Sequence, residues 1–138
     1  MVPGKTRQDP ASPYSGVISI FMDRCFSGQD IIIFGDGEQT RDFVYVGDLV
    51  KVLRAALEID RQGVLNVGTG LSTKISALAE QVQQVCGKTV NVLNKPARAG
   101  DIKYSLANTE SLKAALGFVP QTPINEGLES LKNWLEVD

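Results

Sequence analysis

A chain of 138 residues, 43% apolar and 22% charged, has room for one folded domain with a modest core and is too apolar for a disordered chain. A two-domain enzyme does not fit in that length. The net charge of −2 gives no broad basic field for nucleic acid, and the absence of histidine removes the commonest general base and metal ligand, and with it zinc chemistry and histidine-based triads. No apolar run approaches the roughly 20 residues of a membrane span, and Met1 to Lys5 has no signal-peptide layout, so a cytoplasmic protein without membrane contact is expected.

Residues 1–13 are rich in Pro, Ser, Gly and charge and read as an irregular lead-in to a domain over 14–138. Val17, Ile18, Ile20, Phe21, Met22, Cys25 and Phe26 recur at helical spacing, with Gly28 placed for a left-handed cap. Ile31 to Phe34 is a short buried strand, Gly35-Asp36-Gly37 a turn, and Gln39 to Tyr45 an extended run. Val46, Leu49, Val50, Leu53, Ala56 and Leu57, widened by Val52, form a helical face broad enough to need a large partner, with Asp48 near the positive helix end.

Val64 to Val67 reads as a strand before Gly68-Thr69-Gly70. Ser76 can cap a helix packed through Leu78, Ala79, Val82, Val85 and Cys86 and ended by Gly87; Val90 to Leu93 is the next strand. Asn108 caps a helix that packs through Leu112, Ala115 and Leu116 and closes at Gly117. In the last helix Thr122 is the expected N-cap, Pro123 the first residue, and Ile124, Leu128, Leu131, Trp134 and Leu135 the buried stripe. The pattern is a mixed α/β single domain, in which Cys25 and Cys86 are expected as buried reduced thiols.

Four motifs invite a nucleotide or catalytic reading and fail it. Gly68-Thr69-Gly70 has Thr73 where a dinucleotide fingerprint wants its third glycine, and Val90-Asn91-Val92 where it wants an acid. Gly87-Lys88-Thr89 and Gly4-Lys5-Thr6 lack the leading glycine and the preceding strand, respectively, of a phosphate loop. Asp36, Glu38 and Asp42 cluster beside glycines and read as turn formers. Arg41, between a glycine turn and the apolar Phe43-Val44-Tyr45-Val46, is either a surface strand charge or a phosphate clamp, whose fork of donors suits two phosphate oxygens.

Five blocks bear on that choice: Arg7-Gln8-Asp9-Pro10, Ser15-Gly16-Val17-Ile18-Ser19, Phe34 to Val46, Asn66 to Gly70, and Arg98-Ala99-Gly100-Asp101. In order and spacing they resemble the carboxyl-terminal part of the NAD-dependent epimerase/dehydratase family, most like its UDP-glucose 4-epimerase branch. The resemblance implies a small C-terminal domain without the Rossmann cofactor domain, binding UDP or a UDP-sugar with modest affinity. It implies that Arg41 and Arg98 hold the diphosphate and Asp101 accepts from the ribose hydroxyls. Phe34 then lies by the uracil, Phe43 and Ile75 wall the nucleotide, and Val17 is a further contact. Arg98 as a solvated loop charge and Phe34 as plain core remain the bland alternatives.

The family's chemistry also needs an NAD-binding glycine loop and a Tyr-x-x-x-Lys pair. Tyr14, Tyr45 and Tyr104 have Ile18, Leu49 and Asn108 four residues on. The expectation is a truncated domain that carries no cofactor and is inactive alone, with NAD belonging to the full-length family. Its seam with a cofactor domain lies at the helix from Asp48 and at Val64 to Val67. Such a chain either works with a separate cofactor domain or is a remnant or fragment; alternatively it is an interaction protein that self-associates through the seam as a homo-oligomer.

Overall fold

The computed structural model of the protein describes residues 16–136. The lead-in at 1–13, the Arg7 to Pro10 block, Gly4-Lys5-Thr6, Tyr14 and Ser15 lie outside the described residues. Nine elements follow in chain order: α1 (Val17–Phe26), β1 (Ile31–Phe34), β2 (Thr40–Arg41), α2 (Val46–Ala56), β3 (Thr73–Lys74), α3 (Ile75–Cys86), β4 (Val92–Lys95), α4 (Glu110–Leu116) and α5 (Ile124–Glu136).

The core forms where three apolar faces meet. Phe21, Met22 and Cys25 of α1 and Leu78, Ala79 and Val82 of α3 close over Ile31 and Ile33, with Leu128 and Leu135 of α5 completing it. In β1 alternate residues face inward, so Ile31 and Ile33 are buried and Phe34 is turned toward the outer side. The same edge pairs in parallel with β4, Ile31 opposite Val92 and Phe34 opposite Lys95. β2 and β3 form a second, antiparallel pair of two residues each. Cys25 and Cys86 are buried free thiols, and burial, with the neighbouring Cys25 thiol adding to it, pushes Cys86 up to about 12.

Several boundaries differ from the sequence reading. The strand expected at 90–93 runs from Val92 because the Val90 amide is bonded by the Gln83 side chain at 2.8 Å. Only Thr40–Arg41 of the 39–45 run pairs as a strand. Ser76 is not a cap: α3 starts at Ile75, and the amides of Ile75 and Ser76 donate to the carbonyls of Gln39 and Gly37. Gly37 can lie this close because it has no side chain; a Cβ there would stand 3.1 Å from that of Ser76, at a φ of +79°. Residues 64–67 form no strand, and Val64 is 95% exposed. The last helix starts at Ile124, one residue after Pro123, and Trp134 is half exposed instead of buried.

Helix α2 departs furthest from a one-faced helix. Its inward side is Val52 and Asp48, which is only 5% exposed. The face expected to find a large partner stands in water, with Val46 at 66%, Leu53 at 57% and Leu57 at 88% exposure. The helix is held by Asp48, whose Oδ2 accepts the amides of Gln121 and Thr122 at 3.1 and 2.8 Å while Oδ1 accepts Lys51 Nζ at 2.9 Å. The Thr122 amide above all, then Lys51, holds this carboxyl well below the usual carboxylate range.

A carboxyl with a depressed folded-state pKa stabilises the fold fully above its unfolded value near 4 and loses that contribution as pH falls through the folded value. Asp48→Asn is therefore expected to lower unfolding stability by about 2 kcal/mol at pH 7, with the gap to wild type shrinking below pH 4. Urea unfolding at both pH values measures it; equal stability at pH 7 would contradict the role assigned to Asp48.

Candidate functional site

The turn from Gly35 to Gln39 brings β1 into β2 and sets two residues of the site on neighbouring strand ends. Gly35 and Gly37 take φ of +91° and +79°, and Asp36 Oδ1 accepts the Glu38 amide at 3.0 Å. Gln39 Nε2 donates to the Phe34 carbonyl at 2.8 Å, so that main-chain oxygen is engaged within the protein. The turn also receives the amino terminus of α3, so its backbone is fixed from both sides.

Arg41 reaches from β2 to the 98–102 segment. Its Nη2 meets Asp101 Oδ1 at 2.8 Å, and Nη1 donates to the carbonyls of Thr40 and Ile102 at 2.8 and 2.6 Å. Three of five guanidinium N–H donors are used in this way, leaving two for a ligand. Asp101 is partly open to solvent. Arg98, on the same loop, lays its guanidinium 3.9 Å from the centre of the Phe34 ring. Lys103 Nζ stands 4.0 Å from Asp36, and Lys74 pairs with Glu38 at 2.6 Å.

Phe34, Arg41, Arg98 and Asp101, from three separate stretches of chain, thus meet at one edge of the fold. The other three expected contacts lie in different surroundings. Ile75, the first residue of α3, is 6% exposed and belongs to the core. Val17, the first residue of α1, packs half-buried against that core. Phe43 also packs there and lines a groove of about 660 Å³ between α1, residues 43–46 and α5. This groove is walled largely by apolar side chains, including Met22, Tyr45, Leu131 and Trp134, and none of the four clustered residues lines it. The two arginines lie at the Arg41 edge, and among the described residues that line the groove there is no arginine or lysine.

Asp42, read in the sequence as a turn former, does far more. Its Oδ1 accepts the Thr69 amide and hydroxyl at 3.0 and 2.5 Å, and Oδ2 accepts the amides of Gly70 and Ala107 at 3.0 and 3.3 Å. Burial acts to raise this carboxyl, and the bonds from the Thr69 side chain and from the three amides outweigh it, so its pKa is lowered. A Cβ on Gly68 would stand 2.3 Å from the Ala107 Cβ and 2.6 Å from Asp42 Oδ2, which is why that position is glycine. The usable signal in the sequence was alternation: next to an arginine on an extended strand, the acid must face the opposite way.

This arrangement also answers whether Gly68-Thr69-Gly70 fits the pyrophosphate of NAD. A phosphate cradle needs backbone N–H groups aimed at the ligand. Here the Thr69 and Gly70 amides are taken by a carboxylate whose charge would repel the pyrophosphate, so the turn does not fit that group.

The comparisons with known proteins agree with the fold. Residues 2–68 match the family model described as the NAD dependent epimerase/dehydratase family. UDP-glucose 4-epimerase from Mycolicibacterium smegmatis is 34% identical over 123 residues, which are 88% of this chain and 39% of that protein. The crystal structure of UDP-glucose 4-epimerase with UDP-glucose from Thermotoga maritima superposes with a TM-score of 0.87 at 36% identity, over 94% of this chain and 41% of the other. UDP-N-acetylglucosamine 4-epimerase from Methanobrevibacter ruminantium, in complex with UDP-N-acetylmuramic acid, gives 0.87 at 38%, over 94% and 42%.

The chain belongs to the NAD-dependent epimerase/dehydratase family. It spans about two-fifths of the length of the curated relatives it matches, and its mixed α/β fold is a partial domain of the epimerase fold. No helix among the described residues is long and apolar enough to cross a membrane.

Removing the Asp42 carboxylate should release the 68–70 turn while leaving the core intact. In Asp42→Ala, the Thr69 and Gly70 amides are expected to exchange with solvent about tenfold faster or more, with α3 amides unchanged. Unchanged exchange at Thr69 would contradict the assignment.

Proposed function

We propose that this chain is the nucleotide-sugar-binding part of an epimerase-type protein, taking UDP or a UDP-sugar at the Arg41 edge and carrying no hydride transfer by itself. The observation that carries the reading is the meeting of two arginines, a carboxylate and an aromatic ring, around Arg41–Asp101 and Arg98–Phe34. Two guanidinium groups from separate segments neutralise a diphosphate better than one, an ionised carboxylate accepts from a ribose diol, and an aromatic face takes a base. Support comes from relatives whose structures hold UDP-glucose and UDP-N-acetylmuramic acid.

Among the expected contacts, Arg41, Arg98, Asp101 and Phe34 form the binding set in this reading; Ile75 steadies the adjoining turn through its amide bond to the Gln39 carbonyl, while Phe43 and Val17 pack against the core. No Tyr-x-x-x-Lys pair is present in the sequence, and the Gly68 to Gly70 turn is committed to Asp42. The reading is therefore one of binding, with affinity modest because only nucleotide contacts are provided. It is compatible with a cofactor domain supplied elsewhere. Calorimetry with UDP and UDP-glucose is expected to show saturable heat for wild type and a loss of about tenfold in affinity for Arg41→Ala, roughly 1.4 kcal/mol. No heat from wild type at millimolar ligand would sink the reading.

A second reading rests on the outer face of α2. Val46, Leu49, Val50, Leu53 and Leu57 are all exposed along one helix whose other side is also apolar at Val52. An exposed apolar stripe of this length along one helix is normally covered. In this reading the chain is an interaction protein that self-associates through α2. Sedimentation is expected to show an assembly at micromolar concentration that persists in Arg41→Ala and dissociates in Leu53→Lys; a wild-type monomer would exclude it.

A further inference from the structure

We infer that the 96–101 loop is a strap that keeps the nucleobase position on Phe34 occupied by Arg98 until a ligand diphosphate draws that side chain away. The inference rests on the nucleotide-binding reading above and concerns how the same edge is regulated. Its starting point is the separation of 3.9 Å between the Arg98 guanidinium and the Phe34 ring centre. A planar base stacked on that face of the ring would need the space this guanidinium fills. Guanidinium and base therefore compete for the face that Arg98 covers.

The cations at this edge are not held equally. Arg41 is gripped by Asp101, Lys74 by Glu38, and Lys103 stands 4.0 Å from Asp36. Arg98 rests on a ring instead of a carboxylate, and an exposed cation on an aromatic face is bound more weakly than a cation on a phosphate. It is the arginine most easily drawn to a new anion.

The loop is built so that this side chain can move while its base stays put. Asp101 and the Ile102 carbonyl tie one end to Arg41, and the Asp101 amide closes back onto the Arg98 carbonyl at 3.3 Å. Gly100 supplies the turn at φ +81° with open space around it. Arg98 itself is exposed. Its long side chain can leave the ring without breaking the Arg41–Asp101 tie.

The consequence is selectivity for nucleoside diphosphates over nucleosides. A nucleoside must displace Arg98 and gives it no partner in return; a diphosphate rewards the displacement with a charge-assisted contact. Arg98 is then an opponent of uridine and an ally of UDP. A plain phosphate ligand would leave uridine binding untouched, and a merely structural residue would weaken both ligands when removed.

The test is an NMR titration of wild type and Arg98→Ala with uridine and with UDP, alongside the Arg98 side-chain signals of wild type. The strap predicts that Arg98→Ala binds UDP about tenfold more weakly yet binds uridine about threefold more tightly. It also predicts that the Arg98 δ protons, shifted upfield by the Phe34 ring in the free protein, lose that shift on saturation with UDP. Uridine binding that is unchanged or weakened in Arg98→Ala overturns the strap. So does UDP binding to wild type that leaves the Arg98 shift in place, and that outcome keeps the nucleotide reading; no UDP binding at all sinks both.

Discussion

The loops of this protein are held together by two adjacent residues of opposite charge. β2 and β3 contribute only two residues each, too little sheet to organise the three segments that meet there. Because side chains alternate across an extended strand, Arg41 and its neighbour Asp42 reach to different segments. Arg41 ties down the 98–102 segment through a carboxylate and a carbonyl, and Asp42 gathers Thr69, Gly70 and Ala107. One dipeptide thereby fixes loops that are 27 to 65 residues away in sequence. The candidate site is a by-product of this tie, since the cation that could meet a diphosphate is the same one that holds the loop.

Asp48 plays the corresponding part for the other half of the domain. It is a buried acid on a helix whose remaining inward contact is Val52, and its partners are backbone amides just before α5. Charge-assisted hydrogen bonds to amides replace the apolar contacts that α2 lacks on its outer face. The helix stays in place with its larger apolar stripe exposed.

Much of this was legible beforehand because it is local. Helices α1, α3 and α5 and strand β1 follow from periodicity, and Gly28, Gly87 and Gly117 take positive φ where a cap was expected. Boundaries failed where a partner outside the element's own pattern intervened: Gln83 on Val90, the carbonyls of Gly37 and Gln39 at the start of α3, and Asp48 before α5. The site was half legible. Arg41, Arg98 and Asp101 could be named from register with a family, yet their pairing could not, and Asp42 looked like an ordinary turn residue because its four donors lie far along the chain. Ile75, named from the same register as a nucleotide wall, is buried in the core at the start of α3.

The central claim is that the Arg41 edge, and not the apolar groove beside α5, receives the ligand. Backbone amide shifts recorded during titration with UDP test it most directly. The account predicts that the perturbed signals cluster at Gly35 to Arg41 and at Ala97 to Tyr104. Perturbations confined to Tyr45 and to Ile124 through Leu135, with Arg41 and Asp101 unmoved, would contradict it.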